Sequence, residues 1–183
     1  MSQKNLNASN KNLNKLNKKT VNKNILKIYK KFESSLIDLE NNFAVAVSGG
    51  PDSLALVYLS EIFARKKKIQ VKHFLVDHKL RKDSTKEALN VRNLLRKHKV
   101  KIEILTWKGR KPSKNIQSKA REARYKLLFE KCRELGIKNI LLGHHLNDLF
   151  ENFFIRMLRG SGLRGLVSFD KRIENNDISI FRP

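Results

Sequence analysis

Two hydroxyls, two glycines and a carboxylate fall together in Ser48-Gly49-Gly50-Pro51-Asp52-Ser53. That set can hold a phosphate chain. Gly49 and Gly50 let the backbone turn sharply and approach a ligand with no Cβ in the way. The N–H groups of such a turn, backed by the positive end of a helix that starts at once, attract anions. Pro51 suits a first helical turn, where its missing N–H would have no intrahelical partner. Ser48 and Ser53 add hydroxyl donors, and Asp52 offers the oxygen ligand that Mg²⁺ takes beside phosphate. The loop is no Walker A motif, which requires a lysine where this chain has Asp52-Ser53. The plainer reading is a strand–turn–helix corner that is glycine-rich for structural reasons alone.

A second concentration of chemistry is Gly143-His144-His145-Leu146-Asn147-Asp148-Leu149-Phe150-Glu151-Asn152. His145, Asp148, Glu151 and Asn152 fall on or near one helical face. Carboxylates opening a helix beside a phosphate site suit Mg²⁺, and imidazoles can neutralise phosphate charge or relay a proton near pH 7. Asn147 and Asp148 also serve simply as helix-starting residues. Arg156, Arg159 and Arg164 surround Gly160-Ser161-Gly162; with Ser161 they can clamp a phosphate or an RNA backbone, or cap a helix with solvated charge. Arg121 and Arg124 lie one turn apart, with Tyr125, where basic charge opposes the helix dipole. Anion binding and a solvated basic face both account for them. Val76-Asp77-His78-Lys79-Leu80-Arg81 leaves a strand; Val76 and His78 either line the nucleoside side of a pocket or only end that strand.

The elements that must position these groups alternate. The run Phe43–Val47 reads as a buried strand, followed by a helix over 51–67, a strand Ile69–Val76, a helix over 83–98 and a strand Val100–Thr106. A polar loop with Gly109 and Pro112 leads to a helix over 115–135, stopped by Gly136. A strand Asn139–Leu142 then enters a helix from His145 to about Leu158, and Ile178–Phe181 alternates as an edge strand fed by a hairpin or crossover over 168–177. The expected architecture is α/β, a doubly wound parallel sheet with helices on both faces. In such sheets ligands sit at the carboxyl ends of the strands, at the switch point. The turns after Val47 and Leu142 are therefore expected to face one crevice. Ahead of the sheet, residues 1–22 carry too little apolar surface to order themselves and read as a flexible basic arm. From Asn24 the positions Ile25, Leu26, Tyr29, Phe32, Leu36 and Leu39 recur at helical spacing, a lead-in helix expected to pack beside the first strand. Residues 23–183 form one nucleotide-binding domain on this reading, and the close at Arg182-Pro183 reads as that of a longer protein cut short.

Forty basic residues against 17 acidic ones give a net charge of +23, which favours a polyanionic partner such as nucleic acid. Lysine outnumbers arginine and Asn and Ile abound, a bias that an A·T-rich genome also produces. No acidic residue precedes Glu33. Cys132 is the only cysteine, which excludes an intramolecular disulfide or a C-x-x-C site and points to a reducing compartment. No run approaches 18 apolar residues and no signal peptide is recognisable, so the cytoplasm, with no membrane partner, is the default.

Together the segments resemble the catalytic domain of the tRNA(Ile)-lysidine synthetases, members of the PP-loop ATP pyrophosphatases with an adenine nucleotide alpha hydrolase-like fold. The resemblance rests on S-G-G-P-D-S (48–53), V-D-H-K-L-R (76–81) with Ser84 and Glu87-Ala88 beyond, A-R-E-A-R-Y (120–125), G-H-H-x-x-D-x-x-E (143–151) and R-G-S-G-L-x-G-L (159–166). It implies ATP and Mg²⁺, free L-lysine, and an isoleucine tRNA with a CAU anticodon whose wobble cytidine becomes lysidine. It further implies that residues 48–53 hold the triphosphate and that Asp52 holds the metal. Asp148 becomes a second carboxylate near the metal or the attacking amine, His145 a stabiliser of the leaving pyrophosphate, and Glu151 a residue on which activity depends. Where such enzymes commonly have H-x-x-D-D-Q-x-E-T, this chain has Asn147, Leu149 and Asn152, and Asn147 removes one negative charge. Two rivals stand beside this reading. A 2-thiolation enzyme of the same superfamily needs cysteines this chain lacks, and an ATP- or RNA-binding module would need missing domains to complete the reaction. Homodimerisation is left open.

Overall fold

The computed structural model describes residues 23–109, 113–143, 172–175 and 177–183. The chain divides into two units, Met1–Ser35 and Leu36–Pro183. In the first, helix α1 spans Lys23–Ser35. Its Tyr29 hydroxyl donates to Glu33 at 3.5 Å, and Ser34 and Ser35 donate to carbonyls one turn back. Such bonds compete with helix continuation, and Leu36 and Leu39, expected in the same helix, lie beyond its end as fully buried residues of the second unit.

The second unit runs β1 (Phe43–Val47), α2 (Pro51–Lys67), β2 (Val71–Asp77), α3 (Ser84–Lys97), β3 (Ile102–Thr106), α4 (Ile116–Glu134), β4 (Asn139–Leu142), β5 (Arg172–Asn175) and β6 (Ile178–Phe181). The sheet order is β3-β2-β1-β4-β6-β5, with β5 antiparallel to β6 and every other pairing parallel. The strand order reverses between β1 and β4, the topological switch point. Alternate residues of each strand serve opposite layers. Ala44, Phe74, Ile140, Leu142, Ile178 and Ile180 pack on Leu128, Phe129 and Cys132 of α4. Phe43 meets the ring of Phe63 on α2, centroids 6.0 Å apart, from the other face. The doubly wound α/β sheet expected from the alternating pattern is thus present. The expected helix from His145, with the residues it carries, lies outside the described residues, as do residues 1–22.

Two strands start later than the apolar runs suggest. Lys68 takes a left-handed conformation (φ 58°); its N–H donates to Arg65 O and that of Ile69 to Ala64 O at 3.0 Å. This is a Schellman cap, in which the residue after the left-handed position packs its apolar side chain back on the helix. Ile69 therefore finishes α2 instead of opening β2. Lys99 (φ 63°) and Val100 repeat the arrangement at the end of α3, with Val100 N–H on Leu95 O at 3.0 Å, so β3 opens at Ile102.

Candidate active site

The exit of β1 is built around a buried hydroxyl. Ser53, 3% exposed, accepts from the N–H groups of Ser48 (3.2 Å) and Gly49 (3.1 Å) and donates to Gly50 O (3.0 Å). Expected as a phosphate donor, the Ser53 hydroxyl is thus committed to shaping the turn. Gly49 adopts φ +90°, and a β-carbon there would lie 2.7 Å from Val91 Cγ2 of α3. Both backbone conformation and space require glycine at this position. Pro51 and Asp52 stand exposed in the first turn of α2. A β-carbon on Gly143 would meet Ser53 Cα at 3.4 Å, so the chain leaving β4 passes directly against that turn. Of the two loops expected to share one crevice, Ser48 and Gly143 do line one cavity, and the residues after Gly143 lie outside the described ones.

The exit of β2 is organised differently. Asp77, 2% exposed, accepts from Lys79 N–H (3.0 Å), Ser84 Oγ (2.8 Å) and Thr85 Oγ1 (2.6 Å). Burial by itself would raise its carboxyl, but the Thr85, Lys79 and Ser84 donors, with the Lys79 charge, hold it below the usual range. Asp77 thereby fastens the start of α3 to the end of β2 and fixes the intervening turn, where Lys79 is left-handed (φ 50°).

His78 follows, and its Nε2 accepts from Arg124 Nε of α4 at 3.3 Å. A guanidinium can only donate, so the ring is neutral with its proton on Nδ1. Burial and the Arg124 charge both push His78 below its ordinary value, against a smaller opposing pull from Asp77. Arg124 is exposed, yet the protein around its guanidinium lowers its pKa, against an opposing pull from Tyr125 and with a further push from Arg121. Arg121 stacks over the Tyr125 ring at 5.4 Å and donates to the Tyr125 hydroxyl at 3.4 Å. Neither arginine has a carboxylate partner among the described residues.

These groups meet in a cavity of about 450 Å³ at the carboxyl edge of the sheet, within the range of small-molecule sites, roughly 300–1,000 Å³. Ser48, Val76, His78, Arg121 and Arg124, all singled out from the sequence, line it together with Leu142 and Gly143. Its floor is apolar (Ala46, Phe74, Val91, Leu128), as a purine ring prefers. At the rim Arg81 pairs with Glu87 at 2.8 Å, which leaves Arg121 and Arg124 as the unbalanced cations. His145, Asp148, Glu151, Arg159, Ser161 and Arg164 lie outside the described residues. Sequence reasoning missed Asp77 as an organiser and Val91 as the wall against Gly49. The available signal for Asp77 was a strand-ending aspartate followed by Ser84-Thr85 at a helix start; for Val91 there was none.

A family model described as a PP-loop domain matches residues 17–183. The chain belongs to that family. It is 44% identical over 140 residues to the tRNA(Ile)-lysidine synthase of Orientia tsutsugamushi (strain Boryong), covering 76% of this chain and 32% of that protein. Over 161 residues it is 40% identical to the tRNA(Ile)-lysidine synthase of Rickettsia felis (strain ATCC VR-1525 / URRWXCal2), covering 85% and 37%. The resemblance to the catalytic domain of these synthetases, read from the motifs, is borne out. This PP-loop domain spans about a third of the length of those relatives. Among solved structures, the U34-tRNA thiolase NcsA of Methanococcus maripaludis, with its [4Fe-4S] cluster, superposes with a TM-score of 0.74 at 18% identity, over 87% of this chain and 58% of that one. At that identity the likeness speaks for the fold. No helix among the described residues is long and apolar enough to cross a membrane.

Proposed function

We propose that this PP-loop domain binds ATP between the 48–53 loop and the adjoining cavity, and that it catalyses ligation of L-lysine to C2 of the wobble cytidine in an isoleucine tRNA with a CAU anticodon. The observation that carries the reading is the cavity itself. An apolar floor, Ser48 at the start of the glycine turn and two arginines without carboxylate partners among the described residues line it at the carboxyl ends of β1, β2 and β4. The names of the 40–44% identical relatives support tRNA modification as its use.

In the proposed reaction cytosine O2 attacks the α-phosphorus of ATP and pyrophosphate leaves. The deprotonated lysine ε-amine then attacks C2 and AMP departs. The 48–53 loop holds the triphosphate, and Val76 and His78 border the nucleoside. His145 stabilises the leaving pyrophosphate, and Asp148 and Glu151 attend the metal or the amine. Arg121, Arg124, Arg159, Ser161 and Arg164 face the anionic groups of tRNA or amino acid. Mg²⁺ would be held by Asp52 and Asp148, where it neutralises charge on phosphate oxygens. No cluster of three or more His, Cys, Asp or Glu side chains occurs among the described residues.

Cys132 speaks against sulfur transfer by this chain. It is fully buried in the core, and burial pushes its thiol up to about 12, so no thiolate is available. The test is incubation of the protein with ATP, Mg²⁺, tRNA bearing a CAU anticodon and labelled lysine, followed by digestion to nucleosides. Labelled lysidine is expected. ATP binding without any lysine transfer would reduce the domain to a nucleotide-binding module.

A further inference from the structure

We propose that the amino edge of the sheet, opposite the cavity, docks the phosphate backbone of RNA through two lysine-rich loops; this rests on the tRNA reading only for the choice of RNA. Because β2 and β3 are parallel neighbours, the segments that lead into them stand side by side. Residues 65–72 carry five lysines and arginines and residues 96–101 four, all exposed, with no acid in either run. Lys72 and Lys101 immediately precede the paired residues His73 and Ile102, on strands about 4.8 Å apart. Of the acids close by in sequence, Glu61 pairs with Arg65 at 3.4 Å and Glu103 with Lys131 at 2.9 Å. Lys68, Lys72, Lys99 and Lys101 form no ion pair among the described residues.

A helix dipole favours cations in a last turn, which accounts for Arg65, Lys66 and Lys67 and for Arg96 and Lys97. Beyond that turn the effect falls away, and it leaves the lysines at the caps and strand starts unexplained. Helices α2, α3 and α4 close with the same pair of backbone bonds. At the left-handed position α4 has Gly136 (φ 65°), whereas α2 and α3 have Lys68 (φ 58°) and Lys99 (φ 63°). Glycine takes that conformation without strain, so two neighbouring caps hold a charge against the backbone preference.

Anionic lipid also attracts lysines, but membrane docking adds apolar side chains that enter the bilayer. No exposed large apolar residue lies within 65–72 or 96–101. Ile37 and Leu135, 72% and 42% exposed, stand ahead of β1 and β4 instead, the first followed by Asp38 and Glu40, which an anionic surface repels. The two runs offer charge alone, which phosphates take up with release of counterions. Strands of five to seven residues separate this edge from the cavity by roughly 20 Å, so an RNA that enters the cavity need extend only that far to meet it.

The test replaces both cap lysines in the full chain (Lys68→Gly with Lys99→Gly). Relief of strain should raise the urea midpoint, so weaker binding by this variant is not a loss of fold. Binding of tRNA with a CAU anticodon is measured by fluorescence anisotropy across a salt series. Each phosphate contact contributes about 0.7–0.9 to the slope of log K against log salt, so the slope should fall by about 1.5. Affinity at low salt should drop about tenfold, with ATP affinity unchanged, and Lys68→Arg with Lys99→Arg should keep the parent slope. Lys72→Gln with Lys101→Gln, which leaves both caps intact, should lower the slope by the same amount and keeps the test open should glycine loosen the caps. An unchanged slope in either pair overturns the proposal. So does loss of binding to phosphatidylserine vesicles with tRNA binding intact. A lowered slope in a protein that makes no lysidine would keep this surface and remove the ligase reading; lysidine formation with an unaltered slope would do the reverse.

Discussion

The exits of β1 and β2 border the same cavity and are held by opposite chemistry. After β1 the turn is rigid because a neutral hydroxyl, Ser53, closes it internally and Gly49 fits where no side chain could. After β2 the turn is rigid because a buried carboxylate, Asp77, gathers three donors from the turn and the next helix. The first device leaves a footprint in residue types. The second is a long-range hydrogen-bond set among ordinary polar residues. One loop should accordingly be sensitive to size and φ, the other to charge and pH.

The largest effect is expected at Asp77. Asp77→Ala leaves three donors unmet and should cost about 3 kcal/mol or more, read as a fall in the urea midpoint. Asp77→Asn keeps part of the bonding and should recover part of that loss. Because the folded carboxyl is held below its usual range, its contribution is full above the ordinary value of about 3.9 and disappears as pH falls through the folded one. Acid titration followed by amide NMR should loosen residues 79–85 before residues 48–53. Simultaneous loosening would erase the distinction between the loops.

Next in size is Gly49→Ala, which meets both a φ of +90° and Val91 Cγ2 at 2.7 Å. A loss of about 1–3 kcal/mol follows from the backbone alone, and ATP affinity should fall at least tenfold. Adding Val91→Ala removes the collision but not the strained φ, so the double variant should recover only in part. Full recovery would show that space, and not conformation, selects glycine there.

Ser53→Ala is expected to be milder, about 1–2 kcal/mol, because the freed N–H groups of Ser48 and Gly49 can turn to water or to phosphate. Its signature is kinetic: KM for ATP rises while kcat changes little. Ser53→Thr, which keeps the hydroxyl, should hold the loop. A kcat loss as large as that for KM would place the hydroxyl on the reacting nucleotide and not merely in the turn.

The sheet and its helices were legible because β1 and β4 are continuous apolar runs and α4 ends at a glycine. Gly136 (φ 65°) lets its own N–H reach Arg133 O and that of Ile137 reach Cys132 O. The starts of β2 and β3 were misplaced for one physical reason: Ile69 and Val100 look like strand residues but complete helix caps whose left-handed positions are lysines. At the cavity, Ser48, Val76, His78, Arg121 and Arg124 were found by residue type. Which arginine touches His78, and that Val91 bars a side chain at Gly49, depends on how α3 and α4 pack against the sheet edge, and local spacing does not encode that.

Those lysines give the smallest effect and carry the contrast to the opposite edge of the sheet. An L-residue in the left-handed region carries a steric cost of roughly 1–2 kcal/mol, relieved in Lys68→Gly and Lys99→Gly. The greater freedom of glycine in the unfolded chain takes back a part of it. A net gain of about 0.5–1 kcal/mol per site is expected, with ATP affinity untouched. Gly136→Lys should lose a comparable amount although nothing lies within 4 Å of where its β-carbon would stand, because φ alone is at stake there. If Lys68→Gly and Lys99→Gly instead destabilise, the lysine stems must pack along the helix ends strongly enough to outweigh their backbone strain. Of the two glycines with positive φ, Gly49 would then be the one that glycine alone can fill, because it lacks room as well as a permitted φ.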